Sequence, residues 1–247
     1  MIVLAAGAHP ADVFDLAGGT LANFSRAGHT VYVVVLTHGA YSHSQVVSSK
    51  GHKVDVQEVI ALKRSECDVA ASAVGAKEVR YLGYTDEPFM PSRDSVLQLA
   101  ECVRELRPDI VITHHPREYG HPDHPVAGDV VLRALKASDR WLEGSERPPH
   151  KMPRVYFFGT QFRGVCAKLG AEVAPPDFVV DITGSIDLKK KAIVAFRSQS
   201  YRQNEYDEAW VEDRLQKIEG YWGIMNGVKY AEEFISMTPQ TGELLPQ

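Results

Sequence analysis

Apolar residues along the chain follow two patterns, short continuous runs and longer segments with helical spacing. Residues 2–8 and 31–36 are runs of the first kind, and their small or β-branched side chains predict buried strands. Between them, residues 14–26 repeat apolar positions every three or four residues, which predicts a helix. A strand, a helix and a second buried strand in this order predict a βαβ unit with parallel pairing.

The same alternation continues along the chain. Further strands are predicted near residues 79–82, 110–113, 155–158 and 178–181, and further helices at residues 56–74, 95–106, 125–135, 186–196 and 205–217. Strands that alternate with helices predict the α/β class, with a Rossmann-like, mostly parallel sheet flanked by helices and a helical C-terminal part. The length of 247 residues suits a single domain over residues 1–247.

Composition and charge narrow the class of protein. The net charge is −5 and no basic stripe is present, which disfavours nucleic acid and favours a small-molecule substrate as the partner. The first apolar run is too short for a signal peptide or a membrane span. Cys67, Cys102 and Cys166 have no paired spacing that would indicate disulfides or a thiolate zinc site. We therefore expect a cytoplasmic protein with no membrane partner.

Two histidine-rich clusters each follow a predicted buried strand. One is His9-Pro10-Ala11-Asp12, and the other extends from His114 to His124. Because the carboxyl ends of parallel strands share one edge of a sheet, we expect the clusters to meet there, where α/β proteins bind ligands. Two imidazoles and a carboxylate are a common catalytic zinc set, so His9, Asp12 and His124 are the candidate metal ligands. The alternative for a single His-Pro pair is a turn or helix cap, but two clusters at two strand ends favour a metal site.

The connection over residues 37–55 is polar, rich in Ser and Gly, and long for a compact domain, which favours a lid over a site. His43 lies in this connection, Arg64 on the helix that follows it, and His115 in the second cluster. We expect these three residues to bind substrate, and Arg64 suits a carboxylate group.

The two motifs also match a known family. His9-Pro10-x-Asp12 followed by Gly18-Gly19-Thr20, together with the run Tyr119-Gly120-His121-Pro122-Asp123-His124, resembles the PIG-L/LmbE superfamily of zinc-dependent amide hydrolases. The resemblance implies that His9, Asp12 and His124 bind Zn²⁺ or another divalent metal, that His121 is a general acid or electrostatic partner, and that Tyr119 polarises the substrate carbonyl. Asp123 is expected either to orient a site histidine or to cap a helix. Relatives often form trimers or hexamers, so a homo-oligomer is expected.

One departure from the family pattern affects the predicted reaction. The deacetylases carry a general-base aspartate directly after His-Pro, and this chain has Ala11. A methyl group accepts no proton, so another group must replace the base, the reaction must differ, or catalysis is lost. Possible substitutes are Glu118, His115, His121, His38 and His43. The first hypothesis is therefore a zinc-dependent hydrolase of N-acetyl amide bonds in a small polar or sugar-like substrate. The alternatives are a hydratase of unsaturated acids, similar to the 4-oxalomesaconate hydratase branch of the superfamily, and an inactive metal-binding protein.

Overall fold

The computed structural model describes residues 1–42, 54–142, 144–159, 175–201, 204–205 and 208–238. Its strands are β1 (Ile2–Gly7), β2 (Thr30–Thr37), β3 (Glu78–Tyr84), β4 (Ile110–Thr113), β5 (Arg154–Phe158), β6 (Phe178–Asp181), β7 (Ser200–Tyr201), β8 (Asn204–Glu205) and β9 (Ala231–Ser236). Its helices are α1 (Asp12–Arg26), α2 (Val56–Val74), α3 (Arg93–Leu106), α4 (Asp123–Ser138), α5 (Ile186–Val194), α6 (Glu208–Lys217) and α7 (Glu219–Met225).

The main sheet has the strand order β3-β2-β1-β4-β5-β9-β6. Strands β1 to β5 pair in parallel, whereas β9 runs antiparallel between β5 and β6. The predicted α/β class and mostly parallel sheet are therefore confirmed. Among the described residues, no helix is long and apolar enough to cross a membrane.

Helices cover both faces of the sheet because side chains alternate along each strand. Val3 and Ala5 of β1 pack in the core beneath α1, α2 and α5, while Leu4 and Ala6 of the same strand pack beneath α3 and α4. This two-sided burial explains why β1 and β2 are continuous apolar runs in the sequence.

The C-terminal part is helical in α5 to α7, but it also contributes β9, which the sequence pattern did not predict. Residues 204–205 form the short strand β8, so the helix predicted from residue 205 begins at Glu208. Strand β9 carries Glu232 and Glu233 in succession and so lacks alternation. Its position is fixed by pairing with two strands that are distant in the sequence, which local periodicity does not reveal.

A buried ion network explains Glu232 in β9. The Lys189 ammonium lies 2.7 Å from Glu219 and 2.6 Å from Glu232, and all three side chains are buried. The Glu232 carboxylate also accepts the backbone N–H groups of Gly19 and Thr20 in α1, at 2.9 and 2.7 Å. A Cβ at Gly19 would lie 2.7 Å from a neighbouring side chain, so the glycine permits this close packing. We call Lys189, Glu219 and Glu232 the lysine network.

Candidate active site

Both histidine-rich motifs lie at the carboxyl edge of the parallel sheet. His9 follows β1 and His114 follows β4, and these two strands are paired neighbours. Asp12 is the first residue of α1, and His124 lies in the first turn of α4. The structure therefore brings together the predicted ligands His9, Asp12 and His124 from segments more than a hundred residues apart.

Two of the predicted ligands, His9 and His124, face one carboxylate oxygen of the third, Asp12. Asp12 Oδ2 lies 3.2 Å from His9 Nδ1 and 3.6 Å from His124 Nε2. Ligand atoms on one tetrahedral zinc ion lie roughly 3.3 Å apart, given bonds of about 2.0–2.1 Å. The two distances to Asp12 Oδ2 are therefore close to the ligand spacing on one divalent metal.

Carboxylates hold the outer nitrogens of both imidazoles. His9 Nε2 lies 3.2 Å from Asp123 Oδ2, and His124 Nδ1 lies 2.5 Å from Glu118 Oε2. An ionised carboxylate only accepts hydrogen bonds, so these ring nitrogens carry the protons. His9 Nδ1 and His124 Nε2 then face Asp12 as potential metal ligands, in the carboxylate–histidine arrangement that commonly orients metal-binding imidazoles.

The negative charge of Asp12 stabilises positive charge beside it. Burial alone would lower the pKa of His124, but the charge of Asp12 and hydrogen bonds to Asp12 and Glu118 outweigh it and raise that pKa to about 10. Burial also opposes ionisation of Asp12, yet His9 and His124 hold the Asp12 pKa well below its usual range. Protons on the imidazoles thus supply a positive charge that a metal would provide in their place.

His114 belongs to this cluster, although the sequence did not single it out. Its Nε2 lies 3.0 Å from Asp12 Oδ2, and burial together with the charge of His124 lowers the pKa of His114 to about 4. The same His114 nitrogen also accepts the backbone N–H of Ala8 at 3.2 Å, so the ring links the end of β1 to the Asp12 carboxylate. In each of two groups of residues, one potential ligand atom per residue lies within 4.8 Å of the others. The first group is Asp12, His114 and His124, and the second is His9, His121 and His124.

His121 lies at the open side of the cluster. Its ring centroid is 4.6 Å from that of His9 and 4.9 Å from that of His124. Its Nδ1 accepts the backbone N–H of Asp123 at 3.2 Å, and its Nε2 lies 3.1 Å from Glu87 Oε1. Burial and the two neighbouring imidazoles lower the pKa of His121 to about 4, so the ring is neutral near pH 7.

The other predicted site residues have different surroundings. Tyr119 is 45% exposed at the rim, and His115 packs edge-on against Phe157 with ring centroids 4.9 Å apart. Arg64 is exposed on the outer face of α2, with its guanidinium carbon 5.0 Å from the Tyr81 ring centroid. The structure therefore does not bring Arg64 to the histidine cluster. His43 lies outside the described residues.

The loop after β3 anchors the start of the 37–55 connection. The Asp86 carboxylate is buried and accepts the backbone N–H groups of Ala40, Tyr41 and Ser42 at 3.1, 3.0 and 2.7 Å. It also lies 2.9 Å from His38 Nδ1. These contacts place the Ser42 hydroxyl beside the histidine cluster, so Asp86 positions one wall of the site.

Lys63 is a second residue near the site that sequence reasoning missed. Its ammonium is buried and donates to the Ser42 carbonyl at 3.0 Å and to Gln199 Oε1 at 2.9 Å. Burial lowers the pKa of Lys63 to about 8, although several carboxylates oppose this shift. Helical spacing in the sequence could have predicted the burial of Lys63, because Lys63, Glu66 and Cys67 share one face of α2.

Comparison with known proteins identifies the family. The family model described as PIG-L, GlcNAc-PI de-N-acetylase, matches residues 4–135, which is more than half of the chain and includes both histidine motifs. The chain belongs to the PIG-L family. PIG-L relatives include a 4-oxalmesaconate hydratase from Pseudomonas putida, 28% identical over 98% of this chain and 91% of its own length. They also include a probable N-acetyl-α-D-glucosaminyl L-malate deacetylase from Bacillus cereus, 28% identical over 87% of this chain and 88% of its own length.

Similar solved structures belong to proteins that are named for the same two activities. A 4-carboxy-2-hydroxymuconate hydratase from Pseudomonas putida superposes with a TM-score of 0.83 and 25% identity, over 99% of each chain. An N,N′-diacetylchitobiose deacetylase from Pyrococcus horikoshii gives a TM-score of 0.77 and 27% identity, over 96% of this chain and 83% of its own. These relatives are named as enzymes that act on small molecules, so this PIG-L fold is shared with both deacetylases and a hydratase.

Proposed function

We propose that this PIG-L protein is a zinc-dependent hydrolase of amide bonds, removing N-acetyl groups from a small polar or sugar-like substrate. The observation that carries the proposal is the convergence of His9 Nδ1 and His124 Nε2 on Asp12 Oδ2, with the outer nitrogens held by carboxylates. Bound zinc would lower the pKa of a coordinated water to about 7 and so supply the nucleophile. We also propose a cytoplasmic homo-oligomer in which residues 1–247 form one domain.

The surrounding side chains suit the remaining needs of amide hydrolysis. His121 lies at the open side of the cluster as an electrostatic partner, with its Nε2 3.1 Å from Glu87, and Tyr119 at the rim offers a hydroxyl that can polarise the substrate carbonyl. Asp123 accepts two backbone N–H groups as well as facing His9, which suits an orienting role for that carboxylate better than proton transfer. His115 remains a candidate substrate contact.

The test combines metal analysis with an amide panel. Purified protein is analysed for bound metal, stripped with a chelator, and assayed by NMR for acetate release with zinc, manganese or iron added back. The panel contains N-acetylglucosamine, diacetylchitobiose and N-acetylglucosamine linked to malate or inositol. We expect zinc-dependent acetate release from at least one compound. Failure of every amide with every metal would refute the hydrolase proposal.

A specific observation favours a second candidate, a hydratase of unsaturated carboxylic acids. Ala11 is buried directly before Asp12, where no carboxylate is available, and the hydratase structure superposes over nearly the whole of both chains. Buried Lys63 supplies a positive charge near the cluster that suits an acidic substrate. Loss of the ultraviolet absorbance of conjugated diacids on adding enzyme, without acetate release from amides, would establish this candidate in place of the first.

A further inference from the structure

Among the described residues, five carboxylates near the histidine cluster or near Lys63 are mostly buried and are held by polar partners. Asp12 faces three imidazoles, Asp123 accepts two backbone N–H groups, and Asp86 accepts three. Glu118 binds His124 and the Gly120 N–H, and Glu66 binds the Ser198 N–H and hydroxyl. These contacts suit roles in orientation and structure, because each carboxylate is held as a hydrogen-bond acceptor.

Glu87 is the sixth carboxylate and differs in exposure. Its side chain is 37% exposed, compared with 12% for Asp12 and 1% for Asp123. Its Oε1 lies 3.1 Å from His121 Nε2, so the carboxylate borders both the cluster and solvent. A substrate or water entering from solvent can therefore reach Glu87 directly.

The backbone of Glu87 is held in an unusual conformation. Its φ is 48°, in the left-handed region that favours glycine, and its N–H donates to Asp123 Oδ2 at 2.9 Å. A non-glycine residue in this region costs about 1 kcal/mol or more and is typical of functional sites. Because Asp123 also faces His9, the same carboxylate fixes both the candidate ligand and the backbone of Glu87.

His121 itself is poorly suited to carry a proton. Its Nδ1 accepts the Asp123 N–H, so the neutral ring has its single proton on Nε2, directed at Glu87. Loss of that proton would leave an imidazolate, and protonation of Nδ1 would break the backbone hydrogen bond. His121 thus acts as a hydrogen-bond donor that orients the Glu87 carboxylate.

We infer that Glu87, oriented by His121, is the acid–base carboxylate of this site and replaces the carboxylate that Ala11 lacks. The inference rests on the proposed function, in which water attacks an amide carbonyl. Glu87 accepts one proton from water as the water oxygen bonds to the carbonyl carbon and the π electron pair moves to the carbonyl oxygen. When that pair returns, the carbon–nitrogen bond breaks and Glu87 gives its proton to the leaving nitrogen. The products are a carboxylic acid and an amine, and Glu87 returns to its ionised form.

The experiment compares four variants with the wild-type holoenzyme. Glu87→Gln keeps the shape and removes the base, while Glu87→Gly suits the positive φ and removes the side chain. Glu78→Gln is the matched control, since this carboxylate on β3 is 45% exposed and binds Arg80 at the surface. The double variant Ala11→Asp with Glu87→Gln places a carboxylate at the start of α1. Substrates are the best amide, the best conjugated diacid and p-nitrophenyl acetate, which reports water activation without an amine leaving group.

We expect Glu87→Gln to lower kcat about 10²–10⁴-fold with little change in KM, as removal of a general base does. Zinc content, measured by elemental analysis, should stay at the wild-type level. Ala11→Asp in the Glu87→Gln background should restore kcat at least about tenfold, and added formate should partly restore Glu87→Gly. Glu78→Gln should retain wild-type kcat.

Different results would contradict the role of Glu87 and the proposed function. A wild-type enzyme that is active while Glu87→Gln keeps kcat within about twofold would overturn the role of Glu87 alone. Loss of zinc from Glu87→Gln would also overturn it, because the residue would then support the metal. If the amide and diacid panels fail but ester hydrolysis depends on Glu87, only the proposed function fails. Inactivity of the wild type on all three substrates would overturn both.

Discussion

Two buried charged clusters contact helix α1, and they supply positive charge in different ways. In the lysine network, the Lys189 ammonium lies between Glu219 and Glu232, so the chain provides the cation itself. At the start of α1, Asp12 faces imidazole nitrogens, which offer either protons or lone pairs. The first cluster is closed and structural, whereas the second can exchange protons for a metal. Imidazoles around a half-buried carboxylate therefore indicate a binding site more strongly than a buried ion pair does.

Replacing Asp12 tests the metal-binding side of this comparison most severely. Asp12→Ala removes the oxygen on which the histidine nitrogens converge, so we expect loss of bound metal and a fall in kcat to below about a thousandth. Elemental analysis and the acetate-release assay measure both effects. Asp129→Asn, an exposed carboxylate on α4, serves as the control and should change neither. Full metal occupancy in Asp12→Ala would show that other residues hold the metal.

Replacing Lys189 tests the structural side. Lys189→Met leaves buried Glu232 without its cation, while Glu219 keeps Arg214 at 3.7 Å. The free energy of unfolding should therefore fall by about 3–5 kcal/mol. Urea unfolding followed by circular dichroism measures the loss. The neighbouring Lys190 binds Glu212 at the surface, and Lys190→Met should cost less than about 1 kcal/mol. Equal losses in the two variants would contradict the distinction between buried and exposed pairs.

Lys63 provides a pH test of a buried cation whose hydrogen bonds, within the described part of the chain, go to the neutral oxygens of Ser42 and Gln199. Its folded pKa of about 8 is below the ordinary 10.5, so between these values the unfolded chain binds more protons and stability from this group rises with pH. The gain should reach at most about 3 kcal/mol, at 1.36 kcal/mol per pH unit. Lys63→Met should remove this part of the rise.

The measurement for Lys63 is the difference in unfolding free energy between wild type and Lys63→Met at pH 7.5 and pH 10. Subtracting the variant cancels the titration of other groups, including His124. A difference that does not change with pH would show that Lys63 has the same pKa in the folded and unfolded chains.

Replacing Glu118 has the smallest expected effect and measures the orientation of His124. Glu118→Gln weakens the hydrogen bond to His124 Nδ1, so metal affinity should fall about 10–100-fold while the protein stays folded. Competition with a chromophoric chelator measures the affinity. An unchanged affinity would mean that packing alone holds the His124 ring.

Local periodicity predicted most of the fold because most elements bury one clear face. The helix over residues 56–74 was predicted with its observed bounds, Val56–Val74, since Asp55 caps its start and Gly75 adopts a left-handed φ of 74° at its end. Strand β9 escaped prediction because its partners, β5 and β6, lie far away in the sequence. Its buried Glu232 is explained only by Lys189, which no local pattern reveals.

The site was predictable where single motifs follow strands, and less so where separate elements meet. His9, Asp12 and His124 were brought together as expected, although their role as metal ligands stays a prediction. Glu87 required knowledge of the loop after β3 and its contact with His121. Arg64 was a candidate by position only, and the helical spacing that buries its neighbour Lys63 directs Arg64 outward.

Gly128 sets how closely the two motif segments can approach. A Cβ there would lie 2.4 Å from the His114 carbonyl oxygen and 3.2 Å from the Pro116 nitrogen. Helix α4, which carries Asp123 and His124, is thus seated directly on the backbone that follows β4. Any side chain at position 128 would push α4 away from the backbone after β4. The two motif segments would then move apart, although the new side chain would contact no reactive atom. Mutational libraries aimed at new substrates should therefore keep this position invariant while they vary the rim.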